Sequence, residues 1–281
     1  MKSYLEHLKS TNVKVNPILI FRSSAIFPII CNKSIDCKIH FLSYWFIKKK
    51  IKEIQCKYTI RNQKGEIIVT KNFLINSTKS YEISCKKVLN FKFIKFIGSI
   101  EIEFFSSHNL LYPYPAVIIN YDTVINNSYV HTCGRIYNNL QDKLANTIKL
   151  VPESGFDIIP NKNYTPFFAF VNGKEKIVNQ KIKIKLINCF GDVLIKKIQL
   201  SNINEYQTEF IFFLDKNEKK FFKNKKGTVV ITHNFKSFYP RFLCGNFKNN
   251  LSAVMLTHSY YDLNDKFWLN PNKEIFYDSI T

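Results

Sequence analysis

Two ten-residue stretches decide the fold prediction: TIRNQKGEII at residues 59–68 and KLINCFGDVL at residues 185–194. In each, two runs rich in apolar residues flank a short segment that carries a glycine. This pattern is typical of a β-hairpin, because glycine reaches the positive φ of a tight turn without steric conflict. Gly65 and Gly191 occupy the same position in the two stretches, so the sequence predicts one hairpin twice.

Four further landmarks repeat in the same order in the two halves of the chain. The pairs are Tyr81-Glu82-Ile83 with Tyr206-Gln207-Thr208, Gly98–Ile102 with Gly227–Ile231, Tyr112-Pro113 with Tyr239-Pro240, and Val130-His131-Thr132 with Thr257-His258-Ser259. The spacing between matched positions stays between 125 and 129 residues. Strands rich in lysine and isoleucine can resemble one another by composition alone, but four of only eight glycines fall in matched pairs. The pattern therefore predicts an internal duplication.

Most of the remaining sequence alternates with the period of two that is typical of strands. The clearest runs are Ile54–Ile60, Tyr81–Cys85, Ser99–Phe105, Ala116–Tyr121, Lys181–Ile187 and Thr228–His233. The aromatic segments Tyr44–Phe46 and Phe167–Phe170 are expected on early core strands, and short helices only at Tyr4–Lys9 and Leu140–Lys149. We therefore predict an all-β fold: a tandem, duplicated antiparallel β-sandwich, immunoglobulin-like (Ig-like) or jelly-roll-like, with two similar domains and short helices at most.

The repeat also sets the expected domain boundaries. Residues 1–16 form an N-terminal segment, residues 17–139 the first β-sandwich and residues 151–262 the second. Residues 140–150 link the two copies, and residues 263–281 form a C-terminal tail. Each copy then has an ordinary size for one domain.

The net charge of +20 arises from 41 Lys and Arg against 21 Asp and Glu, and only four of the basic residues are arginines. Residues 1–140 have a net charge of +12 and residues 141–281 one of +8, so neither half holds the bulk of it. Lys, Asn and Ile share A/T-rich codons, so genome composition alone can produce this excess. A nucleic-acid-binding protein more often concentrates charge on one face, and the sequence has no recognition-helix or zinc-finger pattern. We therefore expect no sequence-specific binding to nucleic acid.

Seven cysteines are scattered without a Cys-x-x-Cys pair. This arrangement favours reduced thiols in the core over a disulfide framework or a zinc site. The sequence has no run of the ~18–20 apolar residues that a membrane-spanning helix needs, and its start lacks the basic and apolar pattern of a secretory signal. We therefore expect a cytoplasmic protein without a membrane span.

Matched histidines give the first candidate site, since His131 and His258 each precede a hydroxyl residue at the end of the last strand of their copy. The two rings could face a shared cleft at the domain junction and bind a polar ligand, with Arg135 and Asp262 supplying charge. Alternatively, each ring bonds a neighbouring loop and serves the fold in both copies. No His-x-His pair is present, so the sequence predicts no metal site.

Arginines and a Tyr-Pro run give the second set of candidates. Arg135 and Arg241 lie beside repeat landmarks, and their planar guanidinium groups could hold a carboxylate, a phosphate or an acidic sugar, or else form internal salt bridges. Tyr112 and Tyr114 lie in a Tyr-Pro-Tyr-Pro run that cannot be a central strand. That run suits stacking on a sugar face or a protein interface, and could equally be a rigid turn that closes the sandwich.

We predict a non-catalytic tandem β-sandwich that binds a carbohydrate, another polar ligand or a protein partner near the domain junction. Its expected ligand-binding residues are Arg135, His131, Arg241, His258, Tyr260, Tyr112 and Tyr114. No cofactor is expected.

The alternative is an enzyme of carbohydrate or small-molecule metabolism in which His258 acts as general acid/base beside Asp262, and Arg241 clamps an anion. The sequence lacks the nucleophile elbow, the Gly-rich phosphate loop and the His-Glu-x-x-His helix, so catalysis is not the leading prediction. Paired carboxylates at Glu101 and Glu103 alternate with apolar residues, and we expect them on a solvent-facing side of a strand.

Overall fold

The computed structural model describes residues 21–90, 95–108, 110, 115–133, 153–173, 176–233 and 241–260. The predicted N-terminal segment, linker and C-terminal tail lie outside these residues, as do the helices predicted at Tyr4–Lys9 and Leu140–Lys149. Among the described residues, no helix has the length and apolar character needed to cross a membrane.

The described part of the first half forms eight strands and two short helices. They are β1 (Phe21–Asn32), β2 (Ile35–Leu42), α1 (Tyr44–Lys49), β3 (Ile54–Asn62), β4 (Ile67–Ile75), β5 (Ser80–Ser84), α2 (Cys85–Val88), β6 (Lys95–Ser106), β7 (Pro115–Thr123) and β8 (Asn127–Cys133).

The described part of the second half forms eight strands and one short helix. They are β9 (Glu153–Ile158), β10 (Tyr164–Val171), β11 (Gln180–Asn188), β12 (Val193–Leu200), β13 (Thr208–Ile211), α3 (Lys216–Phe221), β14 (Gly227–Thr232), β15 (Arg241–Lys248) and β16 (Val254–Tyr260).

The strands pair into four antiparallel sheets of four strands each. In the first half the strand orders are β1-β6-β3-β4 and β5-β2-β7-β8, and in the second half they are β9-β14-β11-β12 and β13-β10-β15-β16. Adding eight to each strand number of the first half gives the order of the second half. The prediction of an all-β fold is confirmed, and the repeated chain path supports the predicted duplication.

The two repeated stretches form the same turn. Oδ1 of Asn62 accepts hydrogen bonds from the backbone N–H groups two and four residues later, both at 3.0 Å. Oδ1 of Asn188 accepts the equivalent pair at 2.9 and 3.0 Å. Gly65 and Gly191 take φ values of +93° and +88°, which explains why each hairpin carries a glycine.

The prediction that Tyr44–Phe46 lies on a strand is wrong, because these residues begin α1. Trp45 is buried, and its indole Nε1 donates a hydrogen bond of 2.8 Å to the carbonyl oxygen of Leu110. Lys48 and Lys49 lie in the last helical turn, where positive charge favours a helix carboxyl end, and Lys50 ends the helix with a φ of 57°.

One sheet of the second half is buried on both faces. On β10, Phe167 and Ala169 join the core of the first half, whereas Phe168 and Phe170 join the core between the two sheets of the second half. A strand covered on both sides needs a continuous apolar run, and Phe167–Val171 provides one. The two halves therefore share a hydrophobic core rather than meeting only through a surface.

The first hairpin docks onto the second half. The carbonyl oxygen of Gln63 accepts a hydrogen bond of 2.9 Å from the backbone N–H of Thr208, the first residue of β13. The guanidinium carbon of Arg61 lies 4.3 Å from the centre of the Tyr206 ring. A Cβ added to Gly65 would overlap the carbonyl oxygen of Glu205, so this contact requires glycine for space as well as for φ.

The expectation that Glu101 and Glu103 face solvent is wrong, because both are buried and ion-paired. The two carboxylates lie on β6, on the side of its sheet that points away from the core of the first half. Their cationic contacts are Arg22 with Glu101 (3.3 Å), Arg22 with Glu103 (2.7 Å), Arg61 with Glu101 (2.7 Å) and Lys57 with Glu103 (3.1 Å). Because β10 and β13 pack against β1 and β6, the second half helps to cover this ion network.

Most of the described cysteines are core residues with reduced thiols. Cys31, Cys37, Cys56, Cys85 and Cys244 are buried thiols that form no disulfide within the described residues, as the sequence predicted. For Cys189 the prediction of a core position is wrong, because this residue lies in the exposed β11–β12 turn. The side chain of Cys133 lies outside the described residues. Burial raises the pKa of the Cys37 and Cys56 thiols, which keeps them uncharged at neutral pH.

His233 makes stability depend on pH. Its ring packs edge-on against Phe242 with ring centres 5.3 Å apart, and burial lowers the pKa of His233 from 6.5 to about 4. The unfolded chain takes up a proton near pH 6.5, whereas the folded chain resists protonation until about pH 4. The stability that neutral His233 contributes is therefore complete above pH 6.5 and is lost as the pH falls towards 4, by about 3 kcal/mol in total.

We expect His233→Leu to flatten this part of the pH profile. Urea denaturation of both proteins at several pH values between 7.5 and 4 measures the change as the difference between the two slopes. Other groups titrate in both proteins alike, so they cancel in that difference. Equal slopes for the wild type and the variant would contradict the assignment to His233.

Candidate functional site

The last strands of the two halves run side by side at the rim of the junction. Nδ2 of Asn126 donates a hydrogen bond of 2.6 Å to the carbonyl oxygen of Val254, and Oδ1 of the same side chain accepts one from the Val254 backbone N–H at 3.1 Å. Two residues further along, the hydroxyl of Ser128 accepts a hydrogen bond of 2.9 Å from the backbone N–H of Leu256. These contacts fix β8 beside β16 at matched positions of the repeat.

This alignment brings the two matched histidines together. The rings of His131 and His258 are in edge-to-face contact, with centres 4.8 Å apart. His131 is exposed, and His258 is partly exposed. Two imidazoles at the rim offer hydrogen-bond donors and acceptors to a polar ligand.

The histidine pair continues a row that crosses the whole outer sheet of the first half. Directly opposed residues on β5, β2, β7 and β8 are Glu82, His40, Ile118 and His131. Neighbouring strands lie ~4.8 Å apart, so His40 and His131 stand roughly 10 Å from each other on one face. We call this face, with His258 at its edge, the junction face.

Tyr129 supplies an aromatic surface next to this row. Its side chain is 57% exposed, and its ring centre lies 6.3 Å from that of His40. Nδ1 of His40 lies 3.9 Å from a carboxylate oxygen of Glu82. Nε2 of His40 is buried and has no hydrogen-bond partner among the residues that the structure describes. The junction face thus combines an accessible phenol ring with the imidazoles of His131 and His258, whereas His40 packs beside Tyr129 and keeps its Nε2 buried.

One ion pair borders the junction face. The ammonium of Lys38 donates a hydrogen bond to the carboxylate of Asp122, and this bond raises the pKa of Lys38. Both side chains are partly exposed, so solvent screens their attraction. The two charges pair with each other, and Tyr129, His131 and Ile118 beside them are exposed.

The structure places the other predicted site residues only in part. Arg241 and Tyr260 are directly opposed on β15 and β16, and His258 is two residues before Tyr260, so these positions share one face of their sheet. The side chains of Arg241 and Tyr260 lie outside the described residues. Residues 112, 114, 135 and 262 also lie outside them, so the predicted roles of Tyr112, Tyr114, Arg135 and Asp262 stay predictions.

A second concavity lies beside the docked hairpin. Its volume is about 390 Å³, and residues 64–66 and 204–206 line it together with Lys176. Two lysines and two glutamates balance its charge, which gives it no preference for an anion or a cation. Among the described residues, no cluster of three or more His, Cys, Asp and Glu side chains could hold a metal ion.

Comparison with known proteins gives no relative that assigns a function. No protein-family model and no curated protein matches the chain. Among solved structures, the chain is similar to a calcium-binding mutant of Bacteroides uniformis beta-glucuronidase 2, with 8% sequence identity and a TM-score of 0.17. The match covers 86% of this chain and 27% of that structure, and its TM-score is too low to support an argument about fold or function.

Sequence reasoning did not select His40, Ile118 or Tyr129. Each looks like an ordinary member of an alternating strand, and no motif surrounds it. Strand alternation could have found Tyr129, because it lies two residues before His131 on β8 and so on the same face. His40 and Ile118 join that face only when β2, β7 and β8 are aligned side by side, which local sequence does not reveal.

Proposed function

We propose that this chain is a non-catalytic binding protein that holds a carbohydrate on the junction face. The single observation that carries the proposal is the exposed Tyr129 ring beside the cross-strand row from His40 to His131 and His258. A sugar has an apolar C–H side that can stack on a phenol ring, and hydroxyl groups at its edge that can bond to imidazoles.

The shape of the junction face favours an extended glycan over a small metabolite. Small-molecule sites are usually concave and enclose most of their ligand. The junction face is the outer side of a β-sheet, so a ligand on it stays open to solvent on one side. An oligosaccharide that spans several strands can still bury enough area there, since the row from His40 to His131 extends over roughly 10 Å.

Tyr129→Ala and His131→Ala test this proposal. A glycan array identifies the ligand, and titration calorimetry with the best glycan measures its affinity. We expect each variant to weaken binding at least tenfold, which corresponds to about 1.4 kcal/mol. His108→Ala is the matched control, because His108 is an exposed histidine in the turn after β6 and should leave the affinity unchanged.

Two results would count against the proposal. If the wild-type protein binds no glycan on the array, the ligand class is wrong. If a glycan binds but the two variants retain full affinity, the ligand lies elsewhere on the molecule.

The enzymatic alternative has one observation in its favour, the shared face of positions 241, 258 and 260. It requires His258 to exchange a proton with a bound substrate. A screen of chromogenic glycosides with the wild type and His258→Ala tests it, and turnover that disappears in the variant would support catalysis. If the wild type turns over none of the glycosides, the enzymatic alternative is rejected for these substrates and the binding proposal remains.

A further inference from the structure

The second copy of the repeated hairpin is uncovered, unlike the first. A Cβ added to Gly65 would meet the second half of the chain, whereas one added to Gly191 would meet no atom within 4 Å. The residue before each glycine is also different: Lys64 in the first hairpin and Phe190 in the second. Phe190 is 55% exposed, so an aromatic side chain stands at an open hairpin tip.

Lysines surround this aromatic tip. The ammonium groups of Lys223 and Lys225 lie 4.8 and 4.9 Å from the centre of the Phe190 ring. Val193 and Ile195, on the strand that leaves the turn, are 49% and 54% exposed. The tip is therefore an exposed apolar patch with the ammonium groups of Lys223 and Lys225 next to it.

A row of lysines extends from the tip along the sheet. Lys181, Lys183 and Lys185 alternate with buried residues on β11, and all three are exposed. Lys197 lies directly opposite Lys183 on the edge strand β12. Residues two apart on a strand are ~6.6 Å apart, so Lys185 and Lys183 lie within about one Debye length, ~10 Å, of the apolar end.

The first half neutralises the equivalent positions, and the second half does not. In the first half, Glu103 on β6 is opposite Lys57 on β3, and the two side chains form an ion pair. In the second half, the residues of β14 opposite Lys183 and Lys185 are Thr232 and Val230. No ion pair involves Lys181, Lys183, Lys185 or Lys197 within the part of the chain that the structure describes. This face therefore carries an excess of positive charge, with the exposed Asp157 on the edge strand β9 as a carboxylate on the same side of the sheet.

We propose that the β11–β12 hairpin tip and the lysine row bind the surface of an anionic lipid bilayer. The exposed Phe190, Val193 and Ile195 side chains enter the boundary between headgroups and acyl chains, and the ammonium groups contact lipid phosphates and carboxylates. The aliphatic Val193 and Ile195 side chains favour a bilayer over nucleic acid, because a duplex presents a charged, hydrated backbone and single-stranded bases stack on aromatic rather than aliphatic side chains. The proposal is independent of the glycan-binding proposal, since the two surfaces lie on different sheets.

Vesicle co-sedimentation tests the proposal with two lipid compositions, phosphatidylcholine alone and a mixture with one quarter phosphatidylserine. We expect binding only to the anionic vesicles, and weaker binding at 0.5 M than at 0.1 M salt. Phe190→Ala should weaken binding about tenfold. Leu74→Ala is its control, because Leu74 is a 65% exposed apolar residue on β4 and should leave binding unchanged.

Charge is tested by two triple variants with the same net charge. Replacing Lys181, Lys183 and Lys185 with Gln should weaken binding about 100-fold, since each lysine near an anionic surface contributes roughly fivefold. Replacing the exposed Lys48, Lys49 and Lys50 with Gln should weaken it less than threefold. Circular dichroism checks that all variants keep the strand content of the wild type.

Each of the following results would overturn the proposal. Equal binding to neutral and anionic vesicles would show that charge does not drive the interaction. Equal losses of vesicle affinity in the two triple variants would show that this face is not the binding surface. No vesicle binding, together with binding of a single-stranded oligonucleotide by the same lysines, would identify nucleic acid as the partner. No vesicle binding, together with self-association that Phe190→Ala abolishes, would identify a second copy of the chain.

Discussion

Gly65→Ala is expected to lower the free energy of unfolding by about 2–5 kcal/mol. The new Cβ has two effects: it forces an L-residue into the left-handed region, which costs about 1–2 kcal/mol, and it overlaps the Glu205 carbonyl, which adds about 1–3 kcal/mol. Because the overlapped atom belongs to the backbone, the whole 204–208 segment must shift. The docking of the first hairpin onto β13 is therefore lost together with the turn.

Gly191→Ala is the matched control for this prediction. Gly191 has nearly the same φ as Gly65, but its Cβ would stand in open space. We expect a loss of only about 1–2 kcal/mol, from backbone strain alone. Urea denaturation followed by circular dichroism measures both variants. Losses that agree within about 0.5 kcal/mol would show that the docked hairpin contributes nothing to holding the halves together.

Glu101→Gln is expected to destabilise the fold by about 3–5 kcal/mol. The Glu101 side chain is only 2% exposed, and its carboxylate contacts both Arg22 and Arg61. Once this negative charge is removed, three cations share a single carboxylate, that of Glu103. The three are the nearly buried guanidinium groups of Arg22 and Arg61 and the ammonium of Lys57. An uncompensated charge in a low-dielectric interior is costly, because neither water nor a counter-ion can replace the missing partner.

Asp122→Asn is the matched control for Glu101→Gln. It removes one carboxylate from the Lys38–Asp122 pair, in which 32% of the Asp122 side chain is exposed. We expect a loss below about 1 kcal/mol, because water and salt screen this pair. Thermal unfolding by calorimetry at pH 7 compares the two variants. Equal losses would mean that the buried network is no more important to stability than a surface pair.

The local elements of the fold could be predicted because they depend on neighbouring residues. An alternation such as Lys181–Ile187 buries every second side chain in whichever sandwich it joins. The turn around Gly191 also depends only on nearby atoms, since Asn188 supplies its capping oxygen. The helix at Tyr44–Lys49 was missed because three aromatic or apolar residues in succession suit a buried strand as well as a short helix.

The candidate site could be predicted only in part. The match between His131 and His258 is visible in the sequence, and the structure brings the two rings together. Tyr129 was within reach of the same reasoning, because it is two residues before His131 on one strand. His40 lies far from both histidines in the chain, and only the pairing of β2 with β7, and of β7 with β8, brings it to the same face.

Glu101 and Glu103 show most directly what strand alternation cannot predict. Alternation of carboxylates with isoleucines predicts a two-faced strand, and β6 is such a strand. The same pattern gives no information about what covers the polar face. In the first half that face meets β10 and β13 and the carboxylates become buried ion pairs, whereas the equivalent lysine face of the second half stays open.

The sequence by itself determined the strands, the repeated hairpin and the all-β architecture, because these follow from the alternation of apolar side chains and the φ that glycine permits. The tertiary structure alone decided which copy of each repeated feature is buried. One hairpin with Gly65 docks and one with Gly191 is exposed, and one polar sheet face is neutralised while the other keeps its lysines. The physical reason is that burial depends on contacts between residues more than 100 positions apart, and local sequence does not encode which of two similar surfaces meets a neighbour.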